Sequence, residues 1–315
     1  MRRALVVGLD DYPFSQLSGC VADANRIADI LSNDYDGSPN FSCQRILSPP
    51  TTVTRAMMRE GTERLFRDDP EVALFYFSGH GTVNNLGGYL VTPDAEAYDQ
   101  GVAMQDILIF ANNSAAREVI IILDCCHSGA LGQIPVIDNK LVVIREGVSI
   151  LTASRDSQAA VEIGGEGLFT SLVCDALEGG AADLVGDVTI ASIYTYADQA
   201  LGPWDQRPLY KSHVSKLIKI RRSEPAIEPN ILRLLPSIFK SPDEEITLDP
   251  SYEPKVDPHH PQHEETFGYL QQYRNAGLLN TIGADSLYEA AINSKTCILT
   301  PKGQFYWRVA SSNQI

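Results

Sequence analysis

The sequence predicts an α/β fold, a mainly parallel sheet covered by helices, followed by a smaller α+β module. Three observations carry that prediction. Short apolar runs bounded by turn residues recur at Ala4–Val7, Val72–Phe77, Val119–Leu123 and Val148–Thr152; a run apolar at every position suits a strand buried on both faces. Stretches with three-and-four periodicity lie between these runs, as strand–helix alternation requires. With 315 residues the chain is long for one core, which favours a large domain plus a small one.

Taken in order, Ala4–Val7 is the first strand, and "CVADANRIADIL" is the first helix, with Val21, Ala24, Ile27, Ala28 and Leu31 on one stripe. "TVTRAMMREGTERLF" gives a second helix before the strand Val72–Phe77, which runs into Ser78-Gly79-His80-Gly81. Val119–Leu123 runs into Asp124-Cys125-Cys126-His127, and Val148–Thr152 is the next strand. "FTSLVCDALEGG" is helical and stops at a double glycine, and "KSHVSKLIKI" gives a later strand. From about 223 to 263 the chain is rich in Pro, Asp and Glu with little periodicity, which reads as a linker. Pattern returns over 264–315: "FGYLQQYRNAGLL" is helical, and "KTCILTPKGQFYWRV" reads as two short strands around a turn, a winged-helix-like arrangement. The expected organisation is therefore a domain over 1–222, a linker over 223–263 and a small module over 264–315. No internal repeat is visible.

Composition narrows the function classes. A formal net charge of −15 argues against nucleic acid or an anionic membrane as a main partner. The apolar run Ala4–Leu9 is too short for a signal-peptide core, and no stretch reaches bilayer length, so a cytoplasmic protein is expected. The six cysteines form no Cys-x-x-Cys pair, and adjacent Cys125 and Cys126 cannot close an ordinary disulfide. Buried free thiols are the default in a reducing compartment. His259, His260 and His263 sit in the linker-like stretch with no cysteine beside them, so they read as solvated rather than metal-binding. The segment after the first strand, "VGLDDYP", has no glycine-rich phosphate loop.

What remains is a histidine and a cysteine, each ending a buried parallel strand, 46 positions apart. In such sheets reactive groups gather at the carboxyl ends of the strands. A thiolate is a strong nucleophile once its pKa is lowered, and a histidine supplies the proton that a leaving amine needs. The neighbouring glycines let backbone approach a substrate closely and aim an amide at an oxyanion.

"YFSGHG" followed by "ILDCCHSG" resembles the paired motifs of the caspase and metacaspase superfamily of cysteine peptidases, the bacterial caspase-like proteins above all. The resemblance covers about residues 1–220 and implies a caspase-like sandwich with a mainly parallel sheet. It makes Cys126 the nucleophile, His80 the general acid/base, and the amides of Gly81 and Cys126 the oxyanion hole. Asp23 and Asp124 match the carboxylates of an acidic pocket that selects Arg or Lys, and Ser78 matches a pocket-lining serine. Cys125 falls on a variable position and reads as a buried small hydrophobe; His127 is expected to hydrogen-bond locally. The substrates implied are proteins with a basic residue at the cleavage site, in regulated proteolysis such as bacterial stress, cell-death or antiphage signalling. Lys140 and Arg145 match the region where family members are cut on activation, by the chain itself or by an upstream protease, so 130–147 is a candidate latency switch; a regulatory protein is a further implied partner. No cofactor is required. Asp94, Glu96, Asp99 and Asp106 lack the spacing of the calcium-binding segment in many metacaspases, which weighs against calcium activation. The competing reading is a caspase-like scaffold that binds partners through its C-terminal module.

Overall fold

The computed structural model describes residues 1–67, 69–84, 87–96, 99–126, 144–153, 162–163, 166–201 and 207–315, with Cys126 described by its backbone. Of the expected site residues, His127 and Lys140 lie outside this set. Two compact units emerge, one of residues 1–182 with 187–224, the other of residues 183–186 with 225–315.

In the first unit the elements are β1 (Arg2–Leu9), α1 (Cys20–Ser32), β2 (Ser42–Ser48), α2 (Arg55–Phe66), β3 (Val72–Asn84), β4 (Gly87–Glu96), β5 (Asp99–Ala103), α3 (Met104–Asn113), β6 (Glu118–Cys126) and β7 (Val148–Thr152). Two two-residue strands follow, β8 (Glu162–Ile163) and β9 (Glu166–Gly167), then α4 (Leu168–Asp175), β10 (Asp187–Thr189), α5 (Ile190–Ala200), β11 (Leu209–His213) and β12 (Lys219–Arg222). The main sheet runs β11-β7-β6-β3-β1-β2, and β4 and β5 extend it from the far end of β3. Five neighbouring strands, from β2 through β7, are parallel, and β11 adds antiparallel to β7.

The pleat sorts the core into two layers, because successive residues of a strand face opposite sides. Leu5, Val7, Phe75, Phe77, Ile121 and Leu123 pack with Met58 and Leu65 of α2 and Ile107 of α3. Their alternates Ala4, Val6, Leu74, Tyr76, Ile120 and Ile122 pack with Ala24, Ile27 and Leu31 of α1, Val173 of α4 and Ile193 of α5. A sheet covered on both faces is the architecture expected from the unbroken apolar runs.

The second unit holds α6 (Pro229–Leu232), α7 (Leu235–Ile238), β13 (Glu245–Thr247), α8 (Pro261–Asn275), β14 (Leu279–Ile282), α9 (Leu287–Ile292), β15 (Thr296–Leu299) and α10 (Pro301–Ser311). Its sheet is antiparallel in the order β13-β15-β14. Two expectations need correcting. The stretch read as a linker is part of this fold: Leu232, Leu235, Phe239 and Leu248 are buried with Phe267, Leu270 and Tyr273. The stretch read as a strand–turn–strand is a strand followed by a helix, so the hairpin of a winged helix does not form. The Thr300 side chain accepts from the Gly303 amide and Pro301 occupies the first turn, a helix start that resembles a turn in sequence.

Candidate active site

β3 and β6 run in parallel register through both motifs: Ser78 opposes Asp124, Gly79 opposes Cys125, and His80 opposes Cys126. The two expected reacting residues are therefore cross-strand neighbours. They sit where β3 has run past β1, whose last partner on it is Ser78. β3 does not end at the motif but continues into a hairpin with β4, in which Gly81 opposes Leu90.

His80 is 3% exposed and is oriented by the connection between β1 and α1. Its Nε2 lies 2.8 Å from the Ser15 carbonyl oxygen. A carbonyl only accepts, so Nε2 carries the proton, and in the neutral ring Nδ1 is left as the base. The His80 amide donates to the Tyr12 hydroxyl at 3.1 Å, and that hydroxyl donates to the Val91 carbonyl at 3.1 Å. The Tyr12 ring stands 4.6 Å from the imidazole between centroids, with Phe14 at 6.2 Å.

The same connection sets the first turn of α1. Asp10 accepts from the amides of Gly19, Cys20 and Val21, at 3.1, 2.8 and 3.2 Å, so a residue ten positions upstream of Cys20 caps a helix with no local side-chain cap. Asp23 sits in this first turn and is 3% exposed.

Asp23, Asp124 and Ser78 come together on the α1 side of the sheet. Asp124 is 3% exposed, and its Oδ2 accepts from the Thr170 hydroxyl at 2.6 Å. Thr170 spends its proton on that carboxylate, so the Tyr76 hydroxyl, 2.5 Å away, donates to Thr170. Burial pushes the Asp124 carboxyl up, and the bonds from the Thr170 hydroxyl and amide pull it back. Burial also raises Tyr76 well above its ordinary range, with Asp124 and Asp23 adding to it. Gly167 shows how close the two acids lie: a Cβ there would stand 2.8 Å from Asp124 Oδ2 and 3.1 Å from Asp23 Oδ2. Any larger residue would occupy the space between the carboxylates. The Gly167 amide faces Asp23 Oδ2 at 3.4 Å, and the buried Ser78 hydroxyl has no hydrogen-bond partner among the described residues.

Other expected residues have structural places. Cys125 is 5% exposed in the layer against α2 and α3. Arg145 closes the C-terminal end of α3: its amide donates to Asn112 Oδ1, and its guanidinium to the carbonyls of Ala111, Ala116 and Glu146. Asp94 caps α2 through the Arg55 amide, Asp99 pairs with the Arg55 side chain, and Asp106 pairs with Arg59. Among the described residues no group of three or more His, Cys, Asp or Glu is placed to hold a metal ion. No helix of the described residues is long and apolar enough to cross a membrane.

Ser15, Tyr12 and Thr170 were not among the residues picked out from sequence. Ser15 contributes a backbone carbonyl, which no side-chain motif announces. Thr170 lies 46 positions beyond Asp124, in a helix whose apolar stripe was its visible signal.

Two solved structures share this fold. A protein of Geobacter sulfurreducens, GSU0716, superposes with a TM-score of 0.53 at 15% identity, over 71% of this chain and 100% of its own. Caspase-1 from Spodoptera frugiperda superposes with a TM-score of 0.52 at 11% identity, over 71% and 91% of the two chains. No curated protein matches the chain by sequence. The peptidase C14 family, described as the caspase domain, matches residues 1–219, the span that holds the sheet, the His80–Cys126 register and the paired acids. This chain belongs to the caspase-domain family of cysteine peptidases.

Proposed function

We propose that the first unit is a cysteine endopeptidase that uses His80 and Cys126 to cleave proteins after Arg or Lys. The observation that carries the reading is the register that sets these two residues opposite each other, two positions beyond Ser78 and Asp124 on the same two strands, with Asp23 of α1 close to Asp124. In the first half-reaction Cys126 gives its thiol proton to His80, its sulfur attacks the scissile carbonyl carbon, and the carbonyl π electrons move to oxygen. The amides of Gly81 and Cys126 receive that oxyanion. The tetrahedral centre then collapses, the C–N bond breaks, and His80 delivers a proton to the departing amine. A thioester remains. In the second half His80 takes a proton from water, the resulting hydroxide attacks the thioester carbon, the C–S bond breaks to release the carboxylic acid, and His80 returns the proton to the Cys126 sulfur.

The specificity follows from charge. Asp23 and Asp124 face one gap with the Ser78 hydroxyl beside them, and a guanidinium or ammonium entering it gains charge-assisted hydrogen bonds. Each such bond is worth roughly 1.5–3 kcal/mol, a ten- to hundredfold preference over a neutral side chain. An aspartate in the same gap would meet like charge. The arginine partners of Asp94, Asp99 and Asp106 support activity that does not depend on calcium.

A peptide-library cleavage assay on the full chain, with and without added calcium, tests this. The expected result is cleavage after Arg or Lys, abolished in Cys126→Ala and His80→Ala, with Asp23→Ala losing the basic preference selectively. A preference for Asp-ended peptides would overturn the specificity, and turnover persisting in Cys126→Ala would overturn the mechanism.

A further inference from the structure

We infer that Tyr12 is a positioning residue for His80, and that the first glycine of the Ser-Gly-His-Gly motif exists to admit its hydroxyl. The inference deepens the proposed function and rests on its reading of His80 and Cys126 as the reacting pair. Four observations meet on this tyrosine. It is wholly buried although it sits in a polar connection, "DDYPFSQ". Its hydroxyl is used twice, accepting from the His80 amide and donating to the Val91 carbonyl, which lies on β4. Its ring packs on the imidazole at 4.6 Å. Finally, a Cβ on Gly79 would stand 2.6 Å from the Tyr12 hydroxyl oxygen and 2.8 Å from the Phe77 ring.

The geometry makes the hydroxyl a pin between two strands. His80 lies on the part of β3 that has left β1 behind, so its backbone amide looks to Tyr12 and not to a strand on that side. Three residues after Tyr12, the Ser15 carbonyl accepts a hydrogen bond from Nε2–H and thereby leaves Nδ1 as the base. Without the hydroxyl, the imidazole keeps its neighbours but loses the anchor that fixes the distance between the connection and β3. A small displacement of a reacting group is expensive in rate. Motif glycines of this kind are ordinarily read as room for substrate; here the room at position 79 is taken by the protein's own tyrosine.

The test reads the state of the Cys126 thiol directly. Full-length protein is treated with iodoacetamide from about pH 5 to about pH 9, and the modified Cys126 peptide is quantified by mass spectrometry. In that reaction the sulfur bonds to carbon, the C–I bond breaks and iodide leaves, so the rate follows the thiolate that a protonated histidine stabilises. In the wild type the rate should rise well below the ordinary thiol pKa of about 8.5. Tyr12→Phe keeps the ring and should lower the rate near pH 6.5 about tenfold, moving the midpoint towards the ordinary value. Gly79→Ala, which displaces the hydroxyl from the other side, should shift the profile the same way. Each profile is taken below the variant's own Tm, so a merely structural tyrosine would lower Tm and leave the midpoint in place. A Tyr12→Phe profile equal to the wild type's, with His80→Ala shifted, would overturn this inference alone. His80→Ala matching the wild type would overturn the reacting-pair reading and this inference with it.

Discussion

Cys125 is held in the core by the pleat. It shares a face with Leu123 and Ile121 and is 5% exposed, so it packs as a small hydrophobe. Cys125→Ala should keep most turnover and cost about 1 kcal/mol in chemical unfolding, whereas Cys126→Ala should leave only background cleavage. Equal loss of activity from both, with folding intact, would reverse the assignment. Asp124 adds a pH dependence. Its carboxyl is raised by burial, so it holds its proton above the ordinary aspartate value of about 3.9. A cationic substrate needs the ionised form, and protons compete with it. KM for an Arg-ended peptide should therefore rise as pH falls through the window above 3.9. Thr170→Val, which deletes the hydroxyl that stabilises the anion, should move this limb to higher pH. A KM flat down to about pH 4 would contradict the pocket role of Asp124. Asp124 was legible in the sequence because it sits inside a motif, whereas Asp23, far from both motifs, came only from the resemblance. Thr170, Tyr76 and Ser15 were not legible, since their roles depend on contacts across 46, 94 and 65 positions.

Among elements, the strands that carry the site were the easiest to read. A strand buried on both faces is apolar along most of its length, and β1, β3, β6 and β7 are so over 4–7, 72–77, 119–123 and, apart from Ser149, 148–151. β2 and β5 escape that rule: β2 is the sheet edge and largely solvated, and β5 pairs only with β4. α3 was also missed, and its cap explains why Arg145 resists the role of a processing site. A protease with an acidic pocket needs an extended chain and a free guanidinium. The Arg145 guanidinium is spent on carbonyls at and just beyond the C-terminal end of α3, where cations and donors are favoured. Any cutting of the 130–147 stretch is therefore expected at Lys140, with a new N-terminus at Leu141. Arg145→Ala should lower stability by about 2 kcal/mol, because several carbonyls lose a charged donor together. Mass spectrometry of active wild type would decide the first point; a fragment beginning at Glu146 would show that Arg145 is released and cut.

At the scale of the whole molecule, the first unit ends at Glu224, close to the expected 222, but 223–263 was read as a linker because of its acidity and proline content. The apolar residues of 225–263 show little periodicity, yet Ile227, Leu232, Leu235, Phe239 and Leu248 are buried in the second core, with Ile231, Ile238, Ile246 and Tyr252 packed against it. In the first unit, the strand end opposite to the reacting residues carries a cost that the sequence did not announce. Glu118 begins β6, opposes Val72 and is 2% exposed. Burial pushes its carboxyl up from 4.5 to about 7, against the pull of the Ile218 backbone, Arg117 and Arg2. Below the unfolded value both states are protonated and Glu118 contributes no pH dependence. As pH climbs from 4.5 to about 7, the unfolded chain releases a proton that the folded chain still holds. The folded state binds more protons over that window, so its stability falls with rising pH and then levels off. Glu118→Gln keeps the shape and removes the charge. Its gain in Tm over the wild type should be small near pH 4.5, grow through the window and be complete above about pH 7. Thermal unfolding of both proteins across that range measures it. An equal difference at both ends would mean that Glu118 titrates alike in the folded and unfolded chain, the pull of Arg2 and Arg117 balancing its burial, and a difference that shrinks as pH rises would mean that they outweigh it.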